Sequence, residues 1–155
     1  MVATFAGTGV RRGELLRLRV GDLDVDAGVI TVTDERGRER EVPIRPKTVE
    51  VLAGYLAQVR PVCPSSPWLF ANPRASFESR WHGRLEPFVA GAIVRRAGRV
   101  TDVDGPHTCT RWRVTAGVDL LRAGVPVEEV ARRLGQRDAA AMGRYRCFVD
   151  GGQAG

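Results

Sequence analysis

The basic side chains are the first candidates for chemistry, because nearly all of them are arginine. Of the 24 lysine and arginine residues only Lys47 is a lysine, and the formal net charge is +6. A guanidinium group can bind two phosphate oxygens at once, so an arginine-rich, positively charged domain favours a nucleic-acid partner. A genome of high GC content also replaces lysine by arginine, which accounts for the choice of arginine but not for the excess positive charge.

Three of these arginines alternate along one short segment. Arg36, Arg38 and Arg40 lie two residues apart, and alternate residues of an extended strand point to the same face. The segment is therefore predicted to carry a strongly basic face. The spacing alone leaves open whether that face contacts DNA or is simply solvated.

The sequence disfavours metal and membrane chemistry. Cys63, Cys109 and Cys147 are widely spaced and form no C-x-x-C pair, which argues against a disulfide framework and against a zinc site shared with His107. This cysteine usage suggests a reducing cytoplasm. No apolar run approaches the roughly 20 residues that cross a bilayer. The first residues carry no charge before their apolar stretch, unlike a secretory signal.

Four segments share a pattern that extends from residue 8 to residue 145. Residues 8–16 read T-G-V-R-R-G-E-L-L, and a predicted hairpin at residues 29–44 ends in R-E-V-P-I. Residues 111–125 contain R-W-R and L-L-R-A-G-V, and residues 134–136 read L-G-Q, with a tyrosine nine residues after the glutamine. In this order and at these spacings the segments resemble the catalytic domain of the tyrosine recombinases, the phage integrase family. Its motifs are T-G-x-R-x-x-E-L, a K-x-R-x-V-P-I hairpin, H-R-L-R followed by L-L-x-A-G-V, and L-G-H.

The resemblance implies a reaction and the residues that carry it. In the family, a tyrosine oxygen attacks a DNA phosphodiester and forms a covalent 3′-phosphotyrosyl link. Two arginines hold the non-bridging oxygens, on which negative charge accumulates. By motif position the nucleophile is Tyr145 and the arginines are Arg11 and Arg113. The bond energy is kept in the phosphotyrosine, so the resemblance implies no metal or other cofactor, and no small-molecule substrate.

The positions that supply protons in the family are substituted in this sequence. The hairpin lysine position falls on Glu35, or on Arg36 if the turn slips by one residue, and the histidine positions hold Thr110 and Gln136. His107 lies three residues before Thr110 and would reach the site only through a local bulge or a shifted loop. Loss of a general acid typically slows a reaction ~100- to 10,000-fold. Phosphate binding is therefore predicted to survive better than efficient cleavage.

The resemblance also implies partners and a domain organisation. The expected partner is double-stranded DNA, contacted by Arg12, Arg36, Arg38, Arg40 and Arg111. A homo-oligomer on DNA and a bacterial, nucleoid-associated, cytoplasmic location are further expectations, with no role for a membrane. Residues 1–150 are predicted to form the catalytic domain without its first helices and without the family's N-terminal DNA-clamping domain. Residues 151–155 are predicted to be a flexible tail.

A mainly helical α+β domain must position these residues. Its strands, residues 29–33 and 38–44, are predicted to form a small antiparallel hairpin at one edge. Helices are predicted at residues 12–19, 46–60, 87–99, 111–123, 126–134 and 138–147. Gly124 and Gly135 are the predicted ends of two of them. The side chains predicted to face the core are Phe88, Ile93, Val94, Trp68, Trp81 and Trp112.

Two other functions fit parts of the sequence. One is a DNA-binding member of the same family that no longer cleaves DNA. The other is a helix-turn-helix regulator, because residues 120–145 alone resemble that motif. The basic hairpin and the T-G-V-R segment argue against a regulator, which needs neither.

Overall fold

The computed structural model describes residues 1–74, 83–99, 107–136, 139–143 and 145. These residues form a mainly helical α+β domain, as the sequence predicts. The α-helices are α1 (Val2–Thr8), α2 (Arg12–Arg17), α3 (Pro46–Gln58), α4 (Pro87–Gly98), α5 (Cys109–Arg122) and α6 (Val127–Arg133). Short 3₁₀ turns lie at Val20–Asp22, Arg60–Val62 and Ala139–Met142. Trp81, Cys147 and the tail at residues 151–155 lie outside the described residues.

The predicted hairpin is part of a three-stranded antiparallel sheet. Strand β1 (Leu23–Asp24) pairs with β2 (Val29–Thr33), and β2 pairs with β3 (Glu39–Pro43). Val32 is fully buried and lies directly opposite Arg40 in the register. Because opposite residues of an antiparallel pair share a face, β3 directs Arg40 towards the protein interior.

Two hydrophobic clusters support the helices. The larger one joins α1, α2, the sheet, α3 and α4, and among its buried members are Phe5, Leu15, Ile30, Leu52 and Val94. The smaller one lies between α5, α6 and the last described residues, and contains Val118, Val130, Ala131, Leu134, Met142 and Tyr145. The candidate site lies where the segments from these two clusters meet.

Helix α4 corrects a prediction about which side faces the core. Val94 is buried as predicted, but Phe88 is 77% exposed and Ile93 is 39% exposed. The buried positions are Ala90, Val94 and Gly98, which lie four residues apart and therefore on one helical face. Phe88 is two residues from Ala90, and 200° of helical rotation places it on the opposite side.

Helix α5 begins at Cys109, two residues earlier than predicted. The hydroxyl of Thr108 accepts a hydrogen bond from the backbone N–H of Arg111 at 3.1 Å. This is the N-cap contact that lets a helix start at the next residue. Helices α5 and α6 end at Arg122 and Arg133, and the glycines predicted to end them, Gly124 (φ 78°) and Gly135 (φ 60°), follow their C-cap residues in the left-handed conformation.

Among the three tryptophans predicted to be core residues, the two that are described are only partly buried. Trp112 packs against the larger cluster. The ring of Trp68 instead lies under two guanidinium groups, those of Arg19 at 5.5 Å and Arg84 at 5.7 Å from its centroid.

Candidate active site

The end of helix α6 gathers three arginines from distant parts of the chain. The carbonyl oxygens of residues 133–135 each accept one hydrogen bond. In chain order the donors are Arg40 Nε at 3.0 Å, Arg113 Nη2 at 2.6 Å and Arg11 Nη2 at 2.8 Å. The last carbonyls of a helix lack partners within the helix and carry partial negative charge. They therefore fix three cationic groups side by side.

Arg113 is held at both ends of its guanidinium group. Its Nη1 donates to the carbonyl of Gly9 at 2.6 Å, opposite the contact to Leu134. Burial is the main cause that lowers the pKa of Arg113. The charges of Arg11 and Arg40 also lower this pKa, whereas Tyr145 and Glu14 act in the opposite direction. Two of its five N–H groups are used in these contacts, which leaves the others available to an anion. Binding an anion would also relieve the cost of a buried cation.

Arg11 and Arg40 share one buried carboxylate. Glu14 Oε2 accepts the backbone N–H of Arg11 at 2.7 Å, and Oε1 accepts its Nη1 at 3.3 Å. Both terminal nitrogens of Arg40 bind the same carboxylate, at 3.0 and 2.9 Å. Burial raises the pKa of Glu14, but the bonds and charges of these arginines outweigh it, so the pKa lies below its ordinary value of 4.5. Glu14 therefore fixes the start of α2, where Arg11 is the N-cap residue.

The side chains of Arg11 and Arg113 line one cleft of about 450 Å³. Helix α2 contributes Arg12 to it, and α4 contributes Arg95. The remaining lining residues are Val10, Gly91, His107, Thr108, Cys109 and Thr110. No acidic side chain is among the described residues of this lining. In its described lining the cleft combines four arginines with no carboxylate, a charge distribution that favours a phosphate-sized anion.

Tyr145 lies beside this cleft but is buried. It is 2% exposed and belongs to the smaller hydrophobic cluster. Its ring packs against Gly117, where a Cβ atom would come within 2.7 Å of the Tyr145 Cε1 atom. Gly117 follows Arg113 by four residues and so lies on the same face of α5. Tyr145 also interacts electrostatically with Arg113. The structure thus brings the two predicted arginines together, with the tyrosine next to Arg113.

The residues that replace the family's lysine and histidines lie in three different depressions of the surface. Thr110 lines the cleft with Arg113. Gln136 and Arg36 line a second groove, which lies between the hairpin turn and the end of α6. Glu35 lies in a different depression, among Arg17, Arg19, Trp68 and residues of the hairpin. Of the two candidates for the hairpin lysine position, Arg36 is therefore the one that shares a groove with Gln136.

The three hairpin arginines line one groove, but they do not form one exposed basic face. Arg36 and Arg38 lie in the turn before β3, where the carboxylate of Asp34 accepts both of their backbone N–H groups, at 2.8 and 3.0 Å. Arg40 lies within β3 and points inward, with its side chain only 11% exposed. DNA contact stays a prediction for Arg36 and Arg38, whereas the guanidinium of Arg40 is used inside the protein.

The two remaining DNA-contact candidates lie on different surfaces. Arg12 is exposed and lines the cleft beside Arg11. Arg111 lines a depression along α5 with Val118 and Arg122, which shares no lining residue with the cleft.

Sequence reasoning missed one residue of the cleft, Arg95, and expected another, His107, to reach the site only through a local bulge or a shifted loop. Arg95 belongs to no motif, and only the packing of α4 against α2 brings it near Arg11. His107 lines the cleft because its ring packs against Gly98, which has no side chain. A Cβ atom at Gly98 would lie 1.9 Å from the His107 Cγ atom. A glycine at the end of a predicted helix is a weak signal of such a close approach.

Gly135 supports the arginine cluster, and its replacement tests that support. Alanine at Gly135 meets a left-handed backbone and would place its Cβ 2.8 Å from the Arg40 Cζ atom. Gly124 has the same backbone conformation and open space around it, so Gly124→Ala measures the backbone cost alone, ~1–2 kcal/mol. We expect Gly135→Ala to lose about 1 kcal/mol more in urea unfolding, because Arg40 must shift. Equal losses would mean that Arg40 moves aside freely.

The described residues hold no group of three histidine, cysteine or acidic side chains that could bind a metal ion. Within that same part of the chain, no helix is long and apolar enough to span a membrane.

Known proteins resemble this chain in sequence and in fold. The model of the phage integrase family matches residues 1–148. The putative integrase/recombinase y4rA of Sinorhizobium fredii is 31% identical over 146 residues, which are 94% of this chain and 34% of that protein. The crystal structure of XerA recombinase matches 99% of this chain with a TM-score of 0.81 and 23% identity. The XerH recombinase bound to its difH substrate also matches 99%, with a TM-score of 0.76 and 18% identity.

The chain spans 34% of the y4rA sequence and 57% of the XerA chain, less than two thirds of either. Its likeness to the two solved structures concerns the fold, and the sequence match concerns the family. Because the family model covers nearly all of its length, this chain belongs to the phage integrase family, whose members include the tyrosine recombinases.

Proposed function

We propose that this chain is the catalytic domain of a site-specific DNA recombinase or integrase. It breaks and rejoins duplex DNA through a 3′-phosphotyrosyl intermediate. Tyr145 is the nucleophile, and Arg11 and Arg113 bind the non-bridging oxygens of the attacked phosphate. The observation that supports this most directly is a pair of guanidinium groups from distant segments. They are held on adjacent carbonyls in a cleft whose described lining carries no acidic side chain.

The arginines act mainly on the transition state. Negative charge on the non-bridging oxygens increases as the phosphorus becomes pentacoordinate, and preorganised donors bind that charge more strongly than the ground state. Arg113 is preorganised by its two carbonyl contacts, and Arg11 by its contacts to Gly135 and Glu14. Little reorganisation is then needed when the charge develops.

The proposal includes the setting of the reaction. The substrate is double-stranded DNA, the protein works in the bacterial cytoplasm at the nucleoid, and more than one copy assembles on the DNA. The XerH relative was solved bound to its difH substrate, which supports DNA as the partner here.

A second candidate function is DNA binding without cleavage. It is favoured by the burial of Tyr145, which is 2% exposed and packed against Gly117. The substitutions at Thr110 and Gln136 point in the same direction, because they remove two proton donors of the family motif.

A covalent trapping experiment separates the two functions. Duplexes with a randomised core and a nick release a short oligonucleotide on cleavage and so trap the protein on DNA. We expect a detergent-resistant adduct, with the DNA mapped to Tyr145 by mass spectrometry, and none from Tyr145→Phe. Tyr55→Phe is the matched control, because the Tyr55 hydroxyl binds the carbonyl of Leu69 at 3.0 Å in the core. Retention of DNA without any adduct would overturn the catalytic function and leave the binding function.

A further inference from the structure

The proposed reaction needs a proton that its known participants do not supply. The bond between the Tyr145 Oη atom and phosphorus forms, and the bond between phosphorus and the 5′ oxygen breaks. The phenol releases its proton to water, and the leaving 5′ oxygen must gain one to depart as a hydroxyl. Glu35 or Arg36, Thr110 and Gln136 occupy the positions where the motif would place proton donors.

His107 is placed to fill this role in a way that the sequence motif does not show. It lines the same cleft as Arg11 and Arg113, six residues before Arg113 in the chain. Its ring is packed on Gly98 at the end of α4 and lies 6.5 Å from the ring of Trp112, measured between centroids. Contacts to two helices fix the ring at the edge of the cleft, while the residue stays partly exposed.

The other side chains of the cleft are poor proton donors. The charged and titratable groups that face His107 across the cleft are those of Arg11, Arg12, Arg95, Cys109 and Arg113. Guanidinium groups hardly release a proton. Burial raises the pKa of the Cys109 thiol, so it holds its proton more tightly. The hydroxyls of Thr108 and Thr110 are weaker acids still. Histidine is the side chain that exchanges protons readily near neutral pH.

We propose that His107 is a catalytic residue and donates the proton to the leaving 5′ oxygen. The inference rests on the function proposed above and adds to it a donor displaced from the family's motif position. The imidazolium loses its proton as the bond to the 5′ oxygen breaks and regains one from water. No oxidation, reduction or further reactant is involved.

A sulfur-substituted substrate tests this role directly. The duplex cleaved in the trapping experiment is resynthesised with sulfur in place of the bridging 5′ oxygen at the mapped phosphate. Sulfur leaves as a thiolate and needs no proton, because thiols are far stronger acids than alcohols. We expect His107→Asn to slow cleavage of the oxygen substrate by about 100-fold and to cleave the sulfur substrate at the wild-type rate.

A second variant displaces the His107 ring without replacing the residue itself. Gly98→Ala places a methyl group where the His107 ring lies, so the ring must leave its position. We expect the same selective loss on the oxygen substrate, with urea unfolding measured in parallel to confirm that the variant is folded.

The possible results distinguish the proton-donor role of His107 from the recombinase function. Wild-type cleavage of both substrates with an equal loss on both for His107→Asn, or with no loss on either, overturns the proton-donor role and leaves the recombinase function intact. A selective loss in Cys109→Ser instead of His107→Asn also overturns it. No cleavage by the wild type overturns the proposed function and the inference together.

Discussion

Replacing Arg113 by alanine is expected to slow formation of the covalent DNA adduct by about 1,000-fold at saturating DNA, the upper range for one lost oxyanion donor. Arg113 is the more rigidly held of the two proposed phosphate ligands, since both terminal nitrogens are bound to backbone carbonyls at 2.6 Å. Its loss removes a preformed donor whose contacts strengthen as charge builds on the phosphate. The measurement is the single-turnover rate of adduct formation on the nicked duplex.

Loss of stability has to be distinguished from loss of catalysis in this experiment. Arg60 offers a matched control, because it is also buried and also donates to backbone carbonyls, those of Cys63, Ser66 and Trp68. We expect Arg60→Ala to lower the urea midpoint while the folded molecules keep the wild-type adduct rate.

A lysine at position 113 refines the same prediction. Arg113→Lys keeps the charge but cannot bind two carbonyls and a phosphate at once, because lysine has a single nitrogen. Its rate should lie between those of the alanine variant and the wild type. A wild-type rate for Arg113→Ala would remove Arg113 from the proposed phosphate site.

Replacing Arg40 by alanine is expected to reduce the free energy of unfolding by ~3–5 kcal/mol, the range for breaking a buried ion pair. The side chains of Arg40 and Glu14 are 11% and 2% exposed, so the variant leaves the Glu14 carboxylate in the interior, where Arg11 is its remaining hydrogen-bond partner among the described residues. The contact between Arg40 and the carbonyl of Arg133 is lost as well. Urea unfolding monitored by circular dichroism measures the effect.

An exposed ion pair of the same hairpin provides the control. Arg38 lies 2.8 Å from Asp34 but is 66% exposed, so Arg38→Ala should change the unfolding free energy by less than ~1 kcal/mol. The double replacement Glu14→Leu with Arg40→Met removes both charges and should lose less than Arg40→Ala alone. Similar losses for Arg40→Ala and Arg38→Ala would contradict the structural role of the buried pair.

The loss of unfolding free energy in Arg40→Ala should depend on pH, because its partner Glu14 is titratable. The pKa of Glu14 is lowered in the folded protein, so its charged form contributes stability above the ordinary value of 4.5. That contribution is lost as the pH falls through the folded pKa. The difference between the wild type and Arg40→Ala should therefore shrink in acid.

The buried pair also shows why alternation in the sequence does not predict how exposed each hairpin arginine is. Alternation correctly indicates that residues two apart in a strand share a face, but it does not say where the strand begins. Strand β3 begins at Glu39, so Arg36 and Arg38 belong to the turn. Val42, which is 1% exposed, lies on the same face as Arg40, and this apolar neighbour was the available signal that Arg40 points inward.

Spacing along the chain likewise does not predict whether His107 reaches the cleft. Its distance from Thr110 along the chain suggested that it lay out of reach. The N-cap contact of Thr108 and the missing side chain of Gly98 together admit its ring to the cleft. Neither feature is visible in the hydrophobic periodicity from which helices are predicted.

Helices α2 to α6, the strand pair and the glycines that follow α5 and α6 could be predicted from local spacing, which backbone geometry converts directly into structure. The predicted helix at residues 138–147 is instead a 3₁₀ turn, Ala139–Met142, in the described part of that segment. The motif positions of Arg11, Arg113 and Tyr145 came from the resemblance to the phage integrase family. Four features depend instead on tertiary packing: three successive carbonyls hold three arginines, Arg40 faces inward, Tyr145 is buried, and Arg95 and His107 join the cleft. Such contacts join segments as much as 124 residues apart, and the packing of whole elements sets them.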